Sequence, residues 1–198
     1  MGLFDDLFKS IAKAGPAPRD LTPNVANKVA EHLRAKWPEL AGIPGLWFSG
    51  SQVHSIVRGV EPPAASDTDI FVLADAEPVS TIGPFGAVTR SPLAEMMHRL
   101  GLPDDAGKPR AAPADKPHYE PDGMDIEHPR GQFDVWTSKS ASVQGALRMY
   151  PRSHSHCRAA FSFTDGLVVL PNEEAKSSGF KPAKYVFENK VGPSPEEK

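Results

Sequence analysis

The sequence predicts an α/β (α+β) fold, one domain with a mixed central sheet flanked by helices. Three observations lead there. Helix signals and short apolar strands alternate in the order αβαβα, two hairpin signals follow, and no internal repeat is present. Of the 198 residues, 39% are apolar and 24% charged, enough for one core and too apolar for disorder throughout.

The elements follow in chain order. Residues 1–18 read as an amphipathic helix and linker: Leu3, Phe4, Leu7, Phe8 and Ile11 share a helical face, and Gly15, Pro16 and Pro18 stop it. Thr22-Pro23 caps and opens a second helix, whose stripe is Val25, Ala26, Val29, Ala30, Leu33 and Trp37. Leu46-Trp47-Phe48 is a short buried strand, followed by a helix over 52–58 that Gly59 ends. Asp69 to Leu73 is a second buried strand, and 92–100 a helix closed by Gly101. Residues 103–123 are rich in proline and charge, and read as a flexible excursion within the domain. Hairpins are expected at 124–128/132–137 and at 159–163/167–170, with a helix over 140–149 between them. The domain runs over 19–190, and 191–198 is a frayed tail.

Composition excludes several classes of function. The formal net charge is −3, so no overall basic field draws the chain to nucleic acid. No apolar run approaches the ~20 residues of a membrane span, and no signal peptide opens the chain. One cysteine excludes an internal disulfide framework and points to a reducing compartment, the cytoplasm. Position 6 is Asp6 where a myristoylation motif wants Ser or Thr, so Gly2 is not an acceptor.

The chemistry concentrates between Phe48 and Leu73. Asp67 and Asp69 stand two residues apart at the mouth of an apolar strand, where alternate side chains share a face. Two such carboxylates repel unless a cation sits between them, and hard divalent ions prefer oxygen ligands. Ahead of them Gly50-Ser51 lies between a strand and a helix, where backbone N–H groups can approach a phosphate. A third acid, Asp134, sits in the apolar run GQFDVW, where a charge needs a metal, an ion pair or a strand edge. Taken singly, each acid is more simply a turn cap or surface ion pair. It is the ordered set that carries weight.

Gly50-Ser51, then Ser66-Asp67-Thr68-Asp69-Ile70, then Phe133-Asp134-Val135 resemble the polymerase-β-like nucleotidyltransferase superfamily. The stretch GSQVHSIVRG is also similar to the head domains of tRNA nucleotidyltransferases and poly(A) polymerases. The resemblance covers about residues 45–137 and implies a nucleotidyltransferase-type domain. It implies that Asp67, Asp69 and Asp134 are catalytic and bind two Mg²⁺, with Mn²⁺ as the alternative ion. Gly50 and Ser51 would hold the triphosphate, and Asp134 would lie nearest the acceptor hydroxyl. The implied reaction moves NMP from an NTP to a hydroxyl of RNA, protein or a small molecule and releases pyrophosphate. There are two departures. His54-Ser55 stands where the head domains carry Arg-Asp, and 16 residues separate Gly50 from Asp67, longer than in minimal members. Other Asp-x-Asp families place their apolar strand before the motif, whereas here it follows.

A second cluster is Arg152, His154, His156, Cys157 and Arg158. If extended, its alternate members form a cationic wall for nucleotide phosphates, with Arg152 and His154 the nucleotide contacts. A zinc site and a plain solvated strand are the other readings. Arg58 is a further candidate for the nucleotide, while Trp47, Phe48 and Trp136 read as core. The alternative to an enzyme is an inactive binding or assembly module that meets a protein partner, or a second copy, through residues 3–11.

Overall fold

The structure is a computed structural model that describes residues 23–109, 123–149, 157–171 and 183–185. Helix α1 (Pro23–Lys36) is followed by a single 3-10 turn at Pro38–Leu40. Its apolar stripe is buried as its period requires: Ala26, Val29, Ala30, Leu33 and Trp37 have no more than 1% exposure. Strand β1 (Leu46–Ser49) leads directly into α2 (Gly50–Val57), and β2 (Thr68–Val72) follows. Next come β3 (Val79–Gly83), β4 (Gly86–Arg90), α3 (Pro92–Arg99) and β5 (Gly107–Pro109). Strands β6 (Met124–His128) and β7 (Gly131–Thr137) form the first expected hairpin, and α4 (Val143–Met149) follows. Strands β8 (Cys157–Ser162) and β9 (Gly166–Pro171) form the second hairpin, and β10 is Ala183–Tyr185.

Eight strands make one mixed sheet in the order β10-β9-β8-β1-β2-β7-β6-β5. All its pairings are antiparallel except β2 with β7. That parallel pair sits at the centre, where two apolar faces must be covered. On one face Phe48, Ile70, Phe133, Val135 and Phe161 pack with residues of α1, α2 and α3. On the other, Trp47, Phe71 and Trp136 pack with Ala146 and Leu147 of α4. The fold is therefore α+β, a single domain with helices on both faces of a mixed sheet. The expected core aromatics Trp47, Phe48 and Trp136 are buried.

Two expectations need correction. The excursion expected to be flexible over 103–123 is ordered at its start: β5 pairs with β6, and Ala106 packs against the core. An edge strand suits this segment, because Pro109 needs no ladder partner on its open side. Helix α2 begins at Gly50 rather than at 52, so Gly50 and Ser51 form its first turn. The structure also adds an element. The β3–β4 hairpin forms a separate two-stranded sheet with Ile82 and Phe85 fully exposed at its end. Residues 3–11, most of 103–123 and the 191–198 tail lie outside the described residues.

Candidate functional site

The site is built where β1 ends and β2 and β7 begin. Ser49 pairs with Asp69, Asp69 with Asp134 across the parallel ladder, and Asp134 with Asp125 across the β6–β7 hairpin. Register partners share a face with Cβ atoms about 5 Å apart, so the three carboxylates form one row across three strands. Asp69 and Asp134 are each 3% exposed, and Asp125 is half-buried. Asp125 is the acid that inspection of the motifs misses. Counting register back from a two-residue Pro129-Arg130 turn would have found it opposite Asp134.

Gly50 closes the row on the β1 side. Its φ is +64°, and a Cβ built there would collide with Asp69 Oδ2 and Cγ and stand 2.8 Å from its Cβ. The missing side chain therefore makes room for the Asp69 carboxylate over the first turn of α2, where helix N–H groups favour negative charge. In the same turn Ser51 Oγ is buried and has no hydrogen-bond partner among the described residues. A buried hydroxyl in that state has a donor to offer. The surrounding bonds are structural. Ser49 Oγ donates to Ala159 O at 2.8 Å, and His54 Nε2 accepts from Ala159 N–H at 2.7 Å. His54 thus fastens α2 to β8.

Asp67 lies just before β2 and is held differently. Gln52 of α2 accepts from His32 Nε2 at 2.7 Å and donates to Pro63 O and Ser66 O, both at 3.3 Å. This fixes the proline-containing loop that delivers Asp67. Asp67 then lines a cleft of about 600 Å³ with Lys36, Ser66, Arg130 and Gln132. Across this cleft Lys36 faces Asp67. Burial lowers the Lys36 pKa, while the Asp67 charge acts in the opposite direction.

Of the remaining candidates, Arg58 is the C-cap of α2, about 12 Å along the helix from Gly50. Arg152, His154 and His156 lie outside the described residues. Arg158 is engaged with the chain itself: its Nη1 donates to Leu147 O and Arg148 O, both at 2.6 Å, and closes the end of α4. Burial lowers its pKa.

No group of three or more His, Cys, Asp or Glu side chains that could hold a metal ion occurs among the described residues. Asp69 and Asp134 remain a pair of neighbouring oxygen donors of the type hard divalent ions take. Mg²⁺ is usually held by one or two carboxylates, with the rest of its shell from water and substrate phosphates. No helix among the described residues is long and apolar enough to cross a membrane. Comparison of the chain with family models, curated proteins and solved structures found no match.

Proposed function

We propose that this chain is a metal-dependent nucleotidyltransferase that transfers NMP from an NTP to a hydroxyl acceptor. One observation carries the reading: Asp69 and Asp134 are buried register partners on parallel strands, with side-chain-free Gly50 against Asp69. Two carboxylates side by side repel, and a cation held between them relieves that repulsion. The resemblance of Gly50-Ser51, Asp67-Thr68-Asp69 and Asp134 to the polymerase-β-like superfamily agrees with that use.

In this reading the first turn of α2, with the Ser51 hydroxyl, receives the triphosphate, and Asp69 and Asp134 hold Mg²⁺ with Asp67 at the entrance. When bound, Mg²⁺ supplies positive charge that neutralises the carboxylates and polarises the phosphates. The acceptor oxygen forms a bond to the α-phosphorus, and the bond from that phosphorus to the bridging oxygen breaks. Pyrophosphate leaves with the electron pair, and the hydroxyl proton passes to Asp134 and on to water.

The test is Mg²⁺-dependent transfer of label from each α-³²P-NTP to RNA, protein or small acceptors by wild type and Asp69→Asn. Label with wild type that vanishes in the variant supports the enzyme. Equal label in both removes Asp69 from the chemistry and overturns it.

A second reading, a binding module without catalysis, is favoured by the β3–β4 hairpin, which exposes Ile82 and Phe85. Such a module would keep its partner in Asp69→Asn and lose it in Phe85→Ser.

A further inference from the structure

The cleft before β2 and β7 is charged in a way that the donor half of the site does not use. Its walls carry two cations, Lys36 and Arg130, and one carboxylate, Asp67, with Ser66 and Gln132 as neutral polar groups, while Glu39 pairs with Arg130 from outside the cleft lining. Arg130 is fixed in place. Its guanidinium lies 4.8 Å from the Trp37 ring centroid, Nη2 donates to Glu39 Oε1 at 2.8 Å and Nη1 to Lys36 O at 3.4 Å. These contacts engage two of the five N–H donors of a guanidinium. Lys36 Nζ has one hydrogen-bond acceptor among the described residues, Ser66 O at 3.4 Å. A stacked arginine beside a half-buried lysine is an arrangement suited to phosphate.

Position identifies which phosphate. Gly50 and Ser51 follow β1, on one side of β2, whereas Arg130 and Gln132 belong to the β6–β7 hairpin on the other. Asp67 and Gln132 precede Asp69 and Asp134 by two residues, about 7 Å along the strands. A group at the acid row therefore reaches the cleft through a spacer about the length of one nucleotide.

We propose that this cleft binds the 5′-phosphate of the acceptor nucleotide, between Lys36 and Arg130, while its 3′-hydroxyl lies at Asp134. The inference rests on the nucleotidyltransferase reading and narrows the acceptor to a nucleotide or nucleotide chain.

Binding of AMP, 5′-phosphorylated pentaadenylate and adenosine is measured by calorimetry without metal or NTP, on wild type, Lys36→Ala, Arg130→Ala and Asp69→Asn. The expected result is that a phosphorylated probe binds at least about tenfold more tightly than adenosine, and that each cleft variant removes most of this gain. Binding of pentaadenylate alone identifies a strand as the source, and binding of both probes a free nucleotide as well. Failure of phosphate to improve binding, or equal gain in the cleft variants, overturns the proposal. Because Lys36 and Arg130 reach solvent, urea denaturation of each variant verifies that it folds. Asp69→Asn, outside the cleft, should keep the gain from phosphate, and the transfer assay separates the two readings. Phosphate-dependent binding with no transfer by wild type sinks the enzyme and keeps the cleft; transfer with unchanged acceptor KM in both cleft variants does the reverse.

Discussion

Gly50 and Asp69 occupy one space: the glycine takes a left-handed φ of +64°, and the carboxylate fills the volume a side chain would need. Two demands thus fall on one residue, a positive φ and the absence of a Cβ. Gly50→Ala violates both. It should destabilise the fold by about 1–3 kcal/mol and displace the carboxylate from the start of α2. Urea denaturation with and without Mg²⁺ checks this: wild-type stability with any Mg²⁺ response intact would show that the contact is slack.

The Asp69–Asp134 pair predicts that Mg²⁺ stabilises wild type more than a variant that lacks one of the two carboxylates. Like charges directly opposite on neighbouring strands weaken a sheet by up to about 1 kcal/mol. Asp134→Asn removes one of the two acids, and its melt in EDTA is the reference for any Mg²⁺ response. With Mg²⁺, wild type should gain about 2.7 kcal/mol at a hundred times the dissociation constant, and the variant should gain far less. Thermal melts in both conditions read the difference. Identical Mg²⁺ responses would remove Asp134 from any ion site.

Much of the architecture was legible because its signals are local. The stripe of α1 has a helical period, and the Thr164-Asp165-Gly166 turn announces β8 and β9. The β3–β4 hairpin was not legible, since of β3 and β4 only Val79 is buried and no apolar alternation marks the pair. The short β5 was masked by its proline. The candidate acids were visible as a motif, but their convergence depends on the parallel β2–β7 ladder, which no local pattern encodes. The cleft is purely topological: Lys36 and Arg130 are 94 residues apart.

Between the two acids of the Asp-x-Asp motif, Thr68 points to the opposite face. Trp37 is fully buried and its Nε1 donates to Thr68 Oγ1 at 3.0 Å. Thr68→Val keeps the shape but strands a buried indole N–H, at a cost of about 1–3 kcal/mol. Thr68→Ser keeps the donor's partner and should lose less. If the two variants denature alike in urea, the hydrogen bond contributes nothing beyond packing.

Glu95 is 3% exposed and receives Arg99 Nε at 2.8 Å and Arg90 Nη1 at 3.4 Å. It ties β4 to α3, and Arg99 extends the link by donating to Glu39 O at 3.4 Å and Ala41 O at 3.1 Å. Removing one partner of a buried ion pair costs about 3–5 kcal/mol, and the partly exposed arginines reduce that here to about 2 kcal/mol. Glu95→Ala should fall by that amount in urea and should speed proteolysis at 83–86. Unchanged cleavage would mean that the hairpin is held by other contacts.

The last prediction concerns pH. His128 stands edge-on to Trp37 at 5.4 Å, and its Nδ1 accepts from the Arg130 backbone N–H at 3.1 Å. Burial lowers its pKa from 6.5, the Arg130 charge adds to that, and Glu39 opposes it. The folded state therefore prefers the neutral ring, and the unfolded chain takes up a proton first. Its contribution to stability is complete above about pH 6.5 and is lost as pH falls through and below that value toward the lower folded pKa. Carboxylates titrate in the same range, so the comparison must be with His128→Asn. The wild-type urea midpoint should fall more steeply than the variant's between about pH 7 and pH 5.5. Parallel curves would mean that the ring titrates as it does in the unfolded chain, and that neither its packing nor Arg130 disfavours its charge.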